Sequence, residues 1–394
     1  MYRKVLFDEF EGTYIDSWSL RSCELGFEEG LFYVEKERLS GGRQDGVDIV
    51  TVDNGRLAFT IVPTRGFNIW RMWIDGLEVS WHSPVRQLVN PKFIDLSDRG
   101  GLGWIDGFNE VMCRCGMESN GAPCKDVIID QMGNKKEIFL TLHGRISNIP
   151  ASTVFLEVDG ETPTLTVGGE VYEGRLFTAM LKLSTRTSTV QGGNWVEIAD
   201  IVENMSRSWR GEMEMLYHCN FGPPFLEEGG EIVAPFKTVV PRDELAGKEA
   251  EEFQKIGRPT EKYVERVYFT EVYCEEDGWS EIALVNRNRD KAVSIKFDAI
   301  RLPCLTIWKN LLMPEDGYVV GLEPGVNYPN PKPFEREMGR VVSLEPGEKY
   351  SMRLRIIVHL GREEVEETIE RIRKIGGGRE PKIYTTPRER YAPL

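Results

Sequence analysis

Histidine is scarce in this sequence: His82, His143, His218 and His359 are the only four in 394 residues. A metal site built on histidine or cysteine has few ligands to draw on, and the one cysteine cluster has the wrong spacing. Cys113, Cys115 and Cys124 form Cys-x-Cys-x8-Cys, which is not a zinc pattern, and no fourth ligand is adjacent. The seven cysteines are an odd number dispersed along the chain, which suits reduced thiols rather than a disulfide framework. Net positive charge is also missing. With 49 Lys and Arg against 63 Asp and Glu, the formal charge of -14 argues against nucleic acid as a partner. No run of eighteen apolar residues exists to span a membrane. The first residues lack the apolar core and small-residue cleavage site of a signal peptide, so a cytoplasmic protein is expected. There is no Gly-x-Ser-x-Gly elbow, no phosphate-cradling loop and no dinucleotide fingerprint, so the sequence offers no sign of a nucleotide, a metal or another cofactor. Glutamine is sparse beside abundant Glu, Lys and Arg, a thermophile-like bias that decides nothing about function.

What is present is an ordinary globular composition, 41% hydrophobic and 28% charged, arranged as many short strands. Leu57–Val62 and Phe67–Ile74 are rich in β-formers, and Asp75-Gly76 is a hairpin signal. Arg65 falls in the connection between them, outside a core. Further strands are expected at Ile138–Leu142, Thr164–Val167, Leu181–Thr185, Trp195–Val202, Val264–Tyr273, Glu281–Val285, Ala292–Phe297, Leu305–Trp308, Tyr318–Val320 and Tyr350–His359. No βαβ alternation appears, so a sandwich or barrel is expected rather than a doubly wound sheet. A short helix is expected at Glu244–Phe253 and a clear one at Glu363–Ile375. There Val365, Ile369 and Ile372 share a face, with acids early and bases late. With no repeat and no linker, the chain reads as a single domain over 1–394, with an N-terminal extension to about residue 30 and a Gly-, Pro- and charge-rich tail from about 376.

Three places concentrate polar chemistry. The first is Gly321–Asn330, where Glu323 follows the apolar run Tyr318–Val320 and precedes Pro324-Gly325. A carboxylate held where a strand meets a rigid turn is placed for general-base work. The second is Met215–Pro224, where His218 ends an apolar strand before Gly222-Pro223. The third is His143, which follows Ile138–Leu142. Ahead of all three, Trp81–Pro123 is long, irregular and rich in Gly and aromatics, Trp104 among them. Aromatic faces beside fixed polar groups are what a sugar needs.

Leu142-His143-Gly144, Tyr217-His218-x-Asn220 and Gly321-Leu322-Glu323-Pro324 resemble, in order and rough spacing, motifs of the aldose 1-epimerases, or galactose mutarotases. The likeness is closest to a poorly characterised branch of that superfamily, with blocks such as Gly107-Phe108-Asn109-Glu110, Arg114-Cys115-Gly116 and Gly321–Asn327. It covers most of the chain, from about Arg65 to Gly347. The resemblance implies an all-β fold, a large antiparallel β-supersandwich with a few short helices and a C-terminal helix. It implies an isomerase that interconverts sugar anomers without a cofactor, with a small-molecule sugar as its partner. By the same resemblance Glu323 matches the general base, His218 the general acid, and His143 the histidine that hydrogen-bonds the sugar near its ring oxygen. The family's sugar-binding Asn-Arg pair is not present in its usual form, and Arg65 and Arg114 are candidates to replace it. The family's substrate-orienting Asp has no matching residue, Glu265 is a stand-in for it, and Arg145, Asn327 and Trp104 complete the substrate-binding set. Two other readings remain open, a non-catalytic sugar-binding or sensor protein and a carbohydrate lyase or glycosidase on a related sandwich. The sugar and the oligomeric state are not fixed by these residues.

Overall fold

The computed structural model describes residues 1–394 except Gln131 and Leu394. Among these residues the strands form two large sheets of 10 and 14 strands and one separate hairpin, Cys124–Ile129 with Lys135–Leu140. Pairing is antiparallel almost throughout. The main core lies between the sheets, with Leu156, Val167 and Ile356 from the smaller packed against Phe59, Met72, Tyr217 and Leu322 from the larger. This is the expected β-supersandwich.

Five neighbouring strands of the larger sheet position the functional side chains: β1 (Met112–Met117), β2 (Gly211–Phe221), β3 (Arg266–Val272), β4 (Cys304–Leu311) and β5 (Tyr318–Gly325). They lie in the order β3-β4-β5-β2-β1. Their period of two decides which residues reach which face. On β2, Met213, Met215, Tyr217, Cys219 and Phe221 point into the inter-sheet core, whereas Leu216 joins a second cluster with Trp81, Trp104, Phe108 and Val319. His218 and Asn220 share the face of Leu216. That second face, away from the smaller sheet, is covered by residues 81–111; the rest of the stretch expected to be irregular includes β1 itself.

The structure corrects several expectations. Glu323 and His218 sit inside β5 and β2, not at strand ends, because both strands run further than their Gly-Pro neighbours suggest. Arg65 does lie in a connection, the 3-10 turn Pro63–Arg65, yet it is fully buried. The first thirty residues are no extension. Tyr2–Asp8 pairs with Thr153–Asp159 in the smaller sheet, and Trp18–Arg21 pairs with Tyr33–Arg38 in the larger. Nor are residues 376–394 a loose tail. Lys382–Ile383 pairs in parallel with Phe236–Pro241, and Tyr391 packs on Val240, Phe269 and Tyr328. The helix expected at 244–253 is broken into Glu244–Gly247 and a 3-10 turn, Ala250–Glu252.

The C-terminal helix, α1 (Arg362–Gly376), is as expected: Val365, Ile369 and Ile372 pack on Ala283, Val285 and Ala292 of the smaller sheet. Gly377 ends it in the left-handed conformation. Among the described residues no helix is long and apolar enough to cross a membrane.

Candidate functional site

Register builds the site. Thr306 of β4 pairs with Glu323 of β5. Leu216 pairs with Gly325 and Cys219 with Leu322, which brings His218 of β2 opposite Glu323. His218 in turn pairs with Cys113 of β1. Cys113, His218, Glu323 and Thr306 therefore form one lateral row across four strands, all on the face away from the main core. Opposed side chains on such a row stand roughly 5 Å apart.

The row forms part of the floor of a cavity of about 510 Å³ lined by Trp81, Trp104, Phe108, His143, His218, Glu323 and Trp308. His218 is collared by aromatic rings, with Phe108 at 5.1 Å and Trp308 at 5.3 Å between centroids. His143 lies 5.5 Å from it, centroid to centroid. His143 belongs to no strand; its backbone takes the left-handed region, φ 56°, which few non-glycine residues occupy, and such strain collects at functional sites. Two backbone bonds dock this corner onto β1, from Gly116 N–H to the His143 carbonyl and from Arg145 N–H to the Gly116 carbonyl.

Hydrogen bonds fix the imidazoles. The Asn220 amide nitrogen donates to the Glu110 and His218 carbonyls, so its Oδ1 must face His218 Nδ1, 2.7 Å away, and accept from it. With a proton held on Nδ1, Nε2 of His218 faces Oε1 of Glu323 at 3.3 Å. Nδ1 of His143 likewise donates to the Asn120 carbonyl at 2.7 Å. Burial pushes Glu323 well above the usual carboxylate range and His218 well below the usual imidazole range, with His143 lowering His218 further. Burial thus favours the uncharged form of each partner, with one proton to share between Oε1 and Nε2. His143 behaves differently. Burial alone would lower it, but the Cys115 sulfur and the Asn120 carbonyl more than offset this and raise it to about 9. Cys115 is the reciprocal case. Burial raises a thiol, yet its hydrogen bond with Cys113 and the nearby His143 bring it down to about 6.

Three buried polar atoms on residues lining this cavity make no hydrogen bond among the described residues: Trp104 Nε1, Thr306 Oγ1 and Glu323 Oε1, which only faces His218 Nε2. Native interiors rarely leave such atoms unpaired. A donor, a hydroxyl and a carboxylate oxygen in one aromatic-walled cavity make a site for a polyhydroxylated ligand.

Of the residues singled out from sequence, the structure brings together Glu323, His218, His143, Glu265 and Trp104 around the cavity. It does not bring Arg65, Arg114, Arg145 or Asn327 there. Arg65 is buried against Glu110 at 2.7 Å and also donates to the Gly107 and Val89 carbonyls, clamping the covering segment to the sheet. Arg114 points to the opposite face of β1 and grips Asp200 of the smaller sheet with two bonds, of 2.6 and 3.0 Å. Arg145 lines a separate cavity beside Glu173 and Trp209. Asn327 is buried between Asn120 and Glu214, one layer behind His143.

A family model described as a domain of unknown function, DUF4432, matches residues 44–358. The chain belongs to the DUF4432 family. A Klebsiella pneumoniae protein described as a "putative aldose 1-epimerase" is 34% identical over 97% of both chains, with a TM-score of 0.91. A galactose mutarotase-like protein from Clostridium acetobutylicum superposes with a TM-score of 0.57 at 14% identity, covering 83% of this chain and 98% of its own. A galactose mutarotase related enzyme from Lactobacillus acidophilus gives 0.51 at 12%, covering 80% and 99%. At those identities the last two establish the fold alone, and this DUF4432 protein has the galactose mutarotase-like fold. No curated protein matches the sequence.

Sequence reading missed several of this DUF4432 protein's cavity residues. Among the described residues Arg242 is the one arginine lining it, paired with Glu265 at 2.8 Å, while the other Glu265 oxygen accepts from Trp308 Nε1 at 2.7 Å. Arg242 ends a strand and precedes an acidic helix start, which reads as a surface charge. Thr306 and Trp308 alternate on β4, and that alternation was their only signal.

Proposed function

We propose that this protein is an aldose 1-epimerase-like isomerase that interconverts the α and β anomers of a free sugar by acid–base ring opening. The observation that carries this reading is the Glu323–His218 pair: a buried carboxylate with an unpartnered oxygen, 3.3 Å from an imidazole whose other nitrogen is already committed. The identity of 34% over nearly the whole chain to a protein described as a putative aldose 1-epimerase supports it.

The pair holds one proton and has two tautomers, carboxylate with imidazolium or carboxylic acid with imidazole. In the charged tautomer, Glu323 takes the proton from the anomeric hydroxyl while His218 Nε2–H protonates the ring oxygen. The bond from the anomeric carbon to the ring oxygen breaks, its electron pair goes to the ring oxygen, and the open-chain aldehyde forms. The pair is left in its uncharged tautomer, the one burial favours. After rotation about the bond between C1 and C2 the same groups act in reverse, and the opposite anomer closes. No proton is lost to solvent and no redox change occurs. His143, a donor beside the ring oxygen, would stabilise the negative charge that develops there. Trp104, Phe108 and Trp308 would stack on the sugar's C–H faces and keep water from the pair.

A carboxylate acting as general base contributes about 10²–10⁴-fold. Glu323→Gln should lower anomer exchange by roughly that factor while the fold persists. Saturation-transfer NMR across a panel of aldoses and sugar acids measures the rate directly. Unchanged rates in Glu323→Gln would remove Glu323 from the chemistry. A non-catalytic sugar-binding protein is the second reading, favoured by the burial of Arg65 and Arg114 in structural ion pairs. It predicts ligand-induced shifts in the same spectra with exchange left at the uncatalysed rate.

A further inference from the structure

Thr306 has an unusual environment for a buried strand threonine. Its side chain is 1% exposed, lines the cavity and has no hydrogen-bond partner for its hydroxyl. Thr270, on the adjoining strand β3, shows the ordinary solution: its hydroxyl donates to the Leu305 carbonyl at 2.9 Å. Valine would fill the place of Thr306 with the same shape and leave no hydroxyl unsatisfied.

Position gives that hydroxyl a task. Along the row, Glu323 stands in the middle, with His218 on one side and Thr306 on the other. A cyclic aldose presents a matching order. Its anomeric carbon carries O1 and is bonded on one side to the ring oxygen and on the other to C2. With O1 at Glu323 and the ring oxygen toward His218, the C2 hydroxyl falls on the Thr306 flank. Thr306 can both donate to and accept from such a hydroxyl. We propose that Thr306 is a specificity-determining residue that selects aldoses bearing a free hydroxyl on the carbon next to the anomeric carbon.

The proposal rests on the epimerase reading and adds the substrate class: 2-hydroxy aldoses, against 2-deoxy and 2-O-blocked sugars. A site built to pair a hydroxyl rejects the analogue lacking it, because its own polar group is then left unpaired in a dry site.

The test compares D-glucose with 2-deoxy-D-glucose and D-galactose with 2-deoxy-D-galactose, by saturation-transfer NMR with uncatalysed exchange subtracted. Wild type is expected to favour the 2-hydroxy member of a pair by roughly 10- to 100-fold in kcat/KM. Thr306→Val should lower kcat/KM on the 2-hydroxy sugar by a similar factor and on the 2-deoxy sugar at least tenfold less, so that the preference collapses. Thr306→Ser, which keeps the hydroxyl, should restore the preference, and melting curves for both variants should overlay wild type. An equal loss on both members of a pair, or no wild-type preference, overturns the assignment of Thr306 and leaves the epimerase reading standing. No acceleration of these four sugars or of any other aldose or sugar acid in the panel overturns both.

Discussion

A Cβ atom placed on Gly321 would lie 2.5 Å from Oε1 of Glu323. It would also come within 3.2 Å of the His218 and Trp308 rings. Gly321 is not among the residues with positive φ, so glycine is required here for room, not for backbone conformation. Gly321→Ala should therefore fold, yet displace the carboxylate from the imidazole. A misplacement of about 1 Å costs on the order of 10²-fold in rate. Anomer exchange measured beside a thermal melt separates the two effects, and wild-type rates in this variant would refute the placement of the pair.

Cys115 and His143 define a pH window. His143 is raised to about 9, so its charge is present at lower pH and is lost as pH rises through about 9. Cys115 is lowered to about 6, so its thiolate is present at higher pH and is lost as pH falls through about 6. The two shifts favour the thiolate–imidazolium form between these limits, which belong to the pair as a whole. In Cys115→Ala the partner charge is gone and burial, which lowers His143, takes over. The alkaline limb of the pH–rate profile should then move down from near 9. An NMR titration of the His143 ring that still ends near 9 in the variant would rule out the coupling.

Asn220 sets the tautomer of His218 through the 2.7 Å bond to Nδ1. Asn220→Leu removes the acceptor and lets the proton settle on either nitrogen, so exchange should fall by roughly 10- to 100-fold with little change in KM. Asn220→Asp keeps an acceptor and adds negative charge, which should raise the apparent pKa of His218 and shift the acid limb of the rate profile upward. If Leu and Asp behave alike, the bond is structural and does not set the tautomer.

Arg65 and Glu110 are both essentially inaccessible, at 1% and 0% side-chain exposure. Arg65→Met leaves Glu110 charged and unpaired, which costs about 3–5 kcal/mol. Asn68 Nδ2 and the Asn109 N–H, which also serve Glu110, cannot replace a cation. Adding Glu110→Gln should recover a large part of the loss. Urea unfolding of the two variants measures both terms, and a double variant no more stable than Arg65→Met would contradict the ion pair as the origin.

The alternation of apolar residues made the strands legible, and with them the β-supersandwich, because each strand has one face in the inter-sheet core. Glu323 and His218 were legible because a polar residue is conspicuous in an apolar strand. Their context misled: Gly321, Pro324 and Gly222-Pro223 read as turns, although the first glycine serves the carboxylate. The arginines were illegible for a different reason. Arg65 and Arg114 find their carboxylates 45 and 86 residues away, and nothing local distinguishes an arginine awaiting a ligand from one already neutralised. Thr306 depends on the register between β4 and β5, and Arg242 on the packing of a distant connection. Tyr391, in a stretch that composition marks as a tail, is held by the cluster around Tyr328.

The groups on the cavity floor and the groups that enclose them have different mountings. His218, Glu323 and Thr306 stand on adjacent strands in the middle of the larger sheet, where backbone pairing on both sides holds each in place. Trp81, Trp104 and Phe108 stand outside those strands, on the irregular segment above, which side chains such as Arg65 bind to the sheet. Changes in that segment can reshape what the cavity admits without moving His218 or Glu323. On the proposed function, a lineage could exchange one sugar for another by editing that cover, while the pair beneath stayed fixed in the weave of the sheet.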